Sequence, residues 1–448
     1  MSDAGHGTGQ REDMPPAWRN WLIAILLAAC YALAYLDRQV ISLLIKPIKA
    51  TLGITDTQFG LLHGISFSLF YVSAAYPLAW LADRTRRSRV MAACVAGWSA
   101  MTMGSGMANS FFQLLLARIG VAIGEAGLTP AAQATLSDRF DRRSLALATS
   151  LFMLAPFVGG GLALSLGAWL YGWAQHLGSA SLLIQLGLKD WQIVFLVIGA
   201  FGLIPAALLL LIVDHAQNKP HASRPRNNGE VFKLFLREWK IFILYPVAMA
   251  VVMVVLASYV TWLPAAIMRS KSISEARVGV LFGPVYTFSG VAGTLGAGFY
   301  VMWRSGDNPV RVVLRMMLMA LLLLWPLSIF AFLTSSLTAQ LVMMGLALFL
   351  ISSVTSLSPL SFQFMTPRHL RAQAIALMAM VAALVGTGLG PVLAGVLSDR
   401  LHGVEQPLSI ALALIGGIFV PIALLLLWIV LGEHERRRLD FEHAVHHS

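Results

Sequence analysis

The sequence predicts an all-α polytopic membrane protein with twelve transmembrane helices in two pseudo-symmetric six-helix bundles. Three observations predict it. Of 448 residues, 58% are hydrophobic and only 12% are charged, about half the charge fraction of a soluble domain. The apolar residues gather in runs long enough to cross hydrocarbon, which takes about 20 residues of helix. One long polar stretch, 214–238, divides the chain into halves of six runs each.

Taken in order, an N-terminal tail (1–18) precedes the first span, 19–44, whose long apolar run carries the charges Asp37 and Arg38. The second, 56–82, carries His63 and ends at the basic loop Arg84, Arg86, Arg87 and Arg89. The third, 88–108, holds Cys94, and the fourth, 110–136, holds Arg118 and Glu125. The fifth, 144–172, contains Pro156 and the glycines 159–161, and the sixth is 190–213. After the linker come 239–265 with Tyr259 and Trp262, 276–302 with Tyr286, and 309–333. The tenth, 337–364, offers Ser352, Ser353, Thr355, Ser356 and Gln363. The eleventh, 372–398, holds Gly386, Gly388, Gly390, Pro391 and Gly395, and the twelfth is 407–431. The expected organisation is therefore an N-terminal bundle 19–213, a linker 214–238, a C-terminal bundle 239–431 and a tail 432–448.

Charge sets the orientation. Of 32 Lys and Arg residues, 23 fall on the side of the N-terminus and seven on the other, with Arg38 and Arg118 inside helices. Positive residues mark cytoplasmic loops, so both termini are expected in the cytoplasm. The net charge of +11 is then a topology signal and does not point to nucleic acid. Cys30 and Cys94 lie in apolar runs and read as free core thiols. Leu27-Ala28-Ala29-Cys30 imitates a lipoprotein cleavage site, but the apolar run continues past it and cleavage would remove half a helix.

The four buried charges are the informative residues. A charge at membrane depth costs roughly 2.5 to 3.5 kcal/mol on the insertion scale, so it faces a polar cavity or a partner. Arg118 and Glu125, seven apart, share one helix face. Asp37 and Arg38, adjacent, project about 100° apart and meet different partners. Poor solvation favours the protonated form of a carboxyl, whereas a neighbouring arginine favours the ionised form. A motion that exchanges those surroundings takes up and releases a proton. Asp37 or Glu125 is thus the candidate proton carrier, and Arg38 or Arg118 the candidate holder of an anionic head group. The bland alternative is a static ion-pair network that only locks helices together.

In the loop after the second span, Asp83 precedes a basic cluster. A carboxylate there caps a neighbouring helix or pairs with a cation in one state and releases it in another. Asp83, Arg84, Arg87, Asp138 and Arg142 are the candidate gate. Pro156, Gly159, Gly160, Gly390 and Pro391 are candidate hinges, although glycines also simply permit close packing. In the second half, Tyr259, Trp262, Tyr286, Ser353, Ser356 and Gln363 are candidate cargo contacts; the alternative is interfacial anchoring and packing.

These residues resemble the major facilitator superfamily. Its loop signature Gly-x-Leu-Ala-Asp-Arg-x-Gly-Arg-Arg is matched at Leu81, Ala82, Asp83, Arg84 and Arg87, with Ala79 and Arg86 replacing the glycines. Its fourth-helix signature is seen as Arg118, Gly120 and Gly124. The fifth-helix signature Gly-Pro-x-x-Gly-Gly is seen as Ala155-Pro156-Phe157-Val158-Gly159-Gly160, with alanine first. Leu36-Asp37-Arg38 together with Arg118 to Ala126 resembles the spinster branch. The resemblance implies a bacterial inner-membrane carrier working by alternating access. It also implies an amphiphilic anionic or zwitterionic cargo of lysolipid or sphingolipid type, coupled to protons.

The runner-up cargo is a small organic anion of sugar-acid type. An enzyme is not expected, because no convergent histidine or metal-ligand set occurs inside the spans. ATP-driven pumping would need a phosphate-cradling Gly-x-x-x-x-Gly-Lys-Ser/Thr loop, and none is present. No cofactor or metal is implied. The expected partners are a small-molecule or lysolipid substrate, protons and membrane lipids, around a monomer.

Overall fold

In the computed structural model, residues 17–177, 182–212, 228–304, 308–367, 370–401 and 403–446 are described. They form twelve long helical passes. In the first half these are α1 (Ala17–Leu43), α2 (Asp56–His63 and Ile65–Arg84), α3 (Arg87–Gly106), α4 (Phe111–Ala126 and Leu128–Arg139), α5 (Arg142–Gln175) and α6 (Asp190–Leu209). In the second they are α7 (Leu244–Lys271), α8 (Glu275–Arg304), α9 (Pro309–Leu333), α10 (Leu337–Met365), α11 (Arg371–Val381, then Gly388–Arg400) and α12 (Pro407–His446). Eleven passes are long and apolar enough to cross a membrane by length and composition. The other, α3, is diluted by Arg87, Arg89 and its Ser, Thr and Gly residues.

Local chemistry places the starts. Thr55 and Gln58 form a reciprocal capping box that opens α2 (3.2 and 2.9 Å). Ser110, Asn308 and Ser336 accept from the third residue onward and open α4, α9 and α10. Two segments differ from expectation. Part of the linker, Asn228–Arg237, is helical, and its buried Phe235 packs on Phe242 and Phe362. The tail continues as helix, so that Glu433 pairs with Lys240 and Glu435 with Arg315, each at 3.2 Å. Residue 213 and residues 214–227 of the linker lie outside the described set.

The two halves form two bundles joined along two seams, α5 on α8 and α2 on α11. Small residues make both seams possible. A side chain at Gly279 would strike the Leu164 carbonyl, and one at Gly395 the Asp56 carbonyl. Buried apolar side chains divide unevenly. Val40, Leu43, Phe59, Leu62 and Trp191 of the first bundle belong to one core with the second bundle. Leu27, Cys30, Phe67, Trp98, Leu136 and Phe152 form a separate core. The bundles are therefore knit together at the end where α1 finishes and α2 begins. Toward the chain termini the first bundle keeps a core of its own.

The expected hinges fall differently from the prolines. α5 runs as one helix through Pro156. In α11 the segment Ala382–Thr387 is π-helical, ending at the residue four before Pro391. Proline cannot donate to that carbonyl and its ring crowds it, so the ladder slips before it. α2 is interrupted at Gly64 (φ −93°, ψ −106°), directly after His63.

Candidate functional site

α1 and α4 bring all four intramembrane charges together. Arg38 pairs with Glu125, and Arg118 Nη1 lies 3.5 Å from both oxygens of Asp37. Adjacent residues of α1 thus meet residues seven apart on α4, as the spacing requires. Thr102 of α3 donates to Asp37 at 2.7 Å. Asp37 and Arg118 are 1% exposed and Glu125 3%. The Arg38 side chain keeps 17% of its surface, so it is the member of the set that remains accessible.

Rings surround this charge. The Arg38 guanidinium carbon lies 4.4 Å from the Phe67 ring centre, 4.8 Å from Tyr35 and 5.5 Å from Tyr71. The Arg118 guanidinium carbon lies 5.9 Å from the Phe67 ring centre. Such contacts contribute about 0.5–2 kcal/mol each when desolvated. Tyr31 extends the wall, edge-on to Tyr35 and stacked on Phe152. From the second bundle, Tyr286 reaches the same place; it lies over Gly160, near Phe157, and within electrostatic reach of Tyr35 and Arg38.

Other candidates in the second half lie elsewhere. Tyr259 is buried inside its own bundle, donating to the Ser328 carbonyl at 3.2 Å and packing on Phe332. Trp262 seals the α2–α11 seam, donating to the Pro391 carbonyl at 2.9 Å and packing edge-on to Phe59. Ser353 donates to the Gly293 carbonyl (3.0 Å) and joins α10 to α8. Ser356 donates to the Ser353 carbonyl within α10, and Gln363 lies near the end of that helix. None of these five contacts the charge cluster. Tyr and Trp in an apolar span need only one acceptor for their polar tip, and these find it in their own surroundings.

At the loop between α2 and α3, Arg87 pairs with Asp138 and lies 3.6 Å from the exposed Asp83. Arg84 stacks over Trp80 at 4.1 Å. Arg142 begins α5, but its side chain lies outside the described residues. Gly159 packs against the Ala32 backbone and Gly390 against the Val254 carbonyl, so both act here as close-approach positions.

The opposite end holds a second charge cluster that the sequence reading did not assign. Arg269 grips Asp56 with two bonds of 2.6 and 2.8 Å. Lys49 pairs with Asp56, and Ser398 donates to it at 2.8 Å. Asp399 accepts from the backbone N–H groups of Asp56 (3.2 Å) and Thr57 (2.7 Å), capping α2 across the bundle boundary. One signal was present. Leu397-Ser398-Asp399-Arg400 ends α11 as Leu81-Ala82-Asp83-Arg84 ends α2. Thr102, Phe67, Tyr35 and Tyr71 were also unassigned. They carried no signal beyond being ordinary residues of apolar helices.

The family model described as Major Facilitator Superfamily matches residues 27–387. An MFS-type efflux pump of Mycolicibacterium smegmatis is 30% identical over 429 residues, covering 93% of this chain and 94% of that protein. The mouse sphingosine-1-phosphate transporter SPNS2 is 23% identical over 402 residues, covering 85% and 70%. A probable L-galactonate transporter of Escherichia coli is 24% identical over 302 residues, covering 64% and 63%. Among solved structures, a bacterial homolog of the human lysosomal transporter Spinster, inward-facing and unoccupied, superposes with TM-score 0.76. It is 26% identical and covers 94% of this chain and 96% of its own.

Proposed function

Since the chain belongs to the Major Facilitator Superfamily, in its spinster-like branch, we propose that it is a proton-coupled secondary transporter of an amphiphilic anionic or zwitterionic lipid-like molecule. One observation carries the reading. Two ion pairs join α1 and α4 inside the membrane, and of their four members Arg38 alone is accessible. Removing one partner of a buried pair costs about 3–5 kcal/mol, so the pair opens only when both partners are compensated at once. An anionic head group arriving at Arg38 compensates the arginine. A proton arriving at Glu125 compensates the carboxylate. The two events are thereby linked, and Asp37, held by Thr102 and Arg118, is the alternative proton carrier.

Arg38, Arg118 and Tyr286 are assigned to cargo. The gate is assigned to Asp83, Arg84, Arg87, Asp138 and Arg142. A charge cluster ringed by first-bundle aromatics, with Tyr286 reaching in from the second bundle, suits a head group with an apolar tail. Both termini are assigned to the cytoplasm of a bacterial cell, with the linker 214–238 on that side and the monomer as the working unit. The likeness to a probable L-galactonate transporter supports a second reading, a small sugar acid as cargo.

The test is uptake into liposomes under an imposed pH gradient, with a lysolipid and a sugar acid as competing cargoes. Accumulation of the lysolipid is expected, and its loss in Asp37→Asn or Glu125→Gln. If both variants keep full proton-driven uptake, the coupling scheme fails. If the sugar acid alone accumulates, the second reading replaces the first.

A further inference from the structure

Five buried polar atoms around the crossed ion pairs have no hydrogen-bond partner: Arg118 Nε and Nη2, Arg38 Nε, Glu125 Oε1 and His63 Nδ1. More than nine in ten buried polar groups in native proteins find a partner, so a cluster of orphans indicates a group that arrives from outside. They share one neighbourhood. Phe67 touches both guanidinium groups, at 4.4 and 5.9 Å. His63, 8% exposed, lies four residues before Phe67 on α2, which packs against α4, the helix of Arg118 and Glu125.

Their chemistry identifies the missing partner. Arginine nitrogens only donate, and His63 Nδ1 donates in its Nδ1–H tautomer. Donors are therefore in excess, with Glu125 Oε1 the single carboxylate oxygen among the orphans. Arg118 is also underused, because its one ion pair is stretched to 3.5 Å. A neutral guest with as many donors as acceptors leaves that excess unmet. A guest with several acceptor oxygens and one hydroxyl or protonated oxygen satisfies all of them.

We propose that Arg118 and His63 form an oxyanion subsite for a phosphate or carboxylate head, whose remaining O–H donates to Glu125. His63 is thereby a binding residue rather than packing. A packing histidine at this depth would have its Nδ1 satisfied by a neighbouring helix. Its position also ties the subsite to the seam, because a side chain at the next residue, Gly64, would strike the Gly388 carbonyl of α11. The inference rests on the reading of this cluster as the cargo site.

The test is calorimetric binding to the full chain in lipid nanodiscs, with octyl phosphate below its micelle concentration as the probe. Inorganic phosphate, gluconate and octyltrimethylammonium are the comparison arms. Octyl phosphate affinity should fall about tenfold in His63→Leu, the loss of one hydrogen bond to a charged group. It should stay within about threefold in His63→Gln, which keeps a donor. An unchanged melting temperature in both variants reports an intact fold, and octyltrimethylammonium, a cation, should not bind the subsite in any of them. If His63→Leu does not fold, His63→Phe takes its place against His63→Gln. Binding of inorganic phosphate as tight as octyl phosphate assigns the subsite to free anions; a preference for octyl phosphate assigns it to lipid heads, and for gluconate to sugar acids. Octyl phosphate binding that is equal in wild type and His63→Leu overturns the subsite, as does wild-type indifference to all three anions. Persisting lysolipid uptake in liposomes would then leave the transporter reading standing. Transport failure with intact anion binding would sink the transporter scheme alone.

Discussion

Asp37 and Glu125 are both buried carboxylates facing an arginine, yet their surroundings separate them. Asp37 holds a 2.7 Å bond from Thr102 and only a loose contact with Arg118. Glu125 has one oxygen engaged by Arg38 and the other unpartnered. Hydrogen bonds to charged groups contribute about 1.5–3 kcal/mol. Thr102→Val is therefore expected to lower the melting temperature and to slow proton-driven uptake several-fold in liposomes; unchanged uptake would make Asp37 a bystander. Arg38→Lys keeps the charge but loses the planar group that three rings embrace. Uptake is expected to fall at least tenfold, by the loss of about 1.4 kcal/mol or more of stacking and paired bonding. The four charges were legible in the sequence because an ion in an apolar run needs a reason. Tyr35, Phe67 and Tyr71 were not, because an aromatic residue in such a run needs none, and the face it shows is decided by neighbouring helices. Tyr259 and Trp262 looked equally eligible and were satisfied inside the protein.

At the scale of the helix, the twelve passes follow from hydropathy to within a few residues at most ends. The breaks do not. The interruption at Gly64 and the π-segment Ala382–Thr387 depend on how α2 and α11 meet, which no single segment encodes. A side chain at Gly60 would sit 2.9 Å from the Val392 Cα and closer still to the Pro391 carbonyl. Overpacking of this kind costs about 1–3 kcal/mol. Gly60→Ala is expected to push the seam apart and favour the state open at the Asp56 end. A single reporter cysteine at Thr57 should then react faster with a membrane-impermeant maleimide; an unchanged rate would show that the seam does not govern access. Asp56→Asn should act in the same direction by weakening the grip of Arg269 and Lys49. The two endings Leu81–Arg84 and Leu397–Arg400 give α2 and α11 a carboxylate at opposite ends. Asp399 caps its neighbour here, while Asp83 is exposed and, among the described residues, paired with Arg87.

For the whole molecule, the proposed alternating access makes this distribution of core and charge one of two states. Apolar packing runs continuously between the bundles at the Asp56 end, and the first bundle keeps its own core toward the termini. Alternating access requires this asymmetry to reverse, because a central site open at both ends leaks and one closed at both ends is idle. The reversal must break the bonds from Thr57 to Asp399, of which the hydroxyl contributes one at 2.6 Å. A Thr57→Cys, Asp399→Cys pair puts two thiols on residues that touch across the seam. The native Cys30 and Cys94 are buried and unpaired, so an oxidant should act at the engineered pair. Oxidation is expected to abolish uptake, and reduction to restore it to the level of the unoxidised double variant. Each single variant should be insensitive to oxidant. If the cross-linked protein transports at an undiminished rate, the Asp56 end never opens. The charges between α1 and α4 would then be a lock that holds the first bundle together, with cargo passing by some other route.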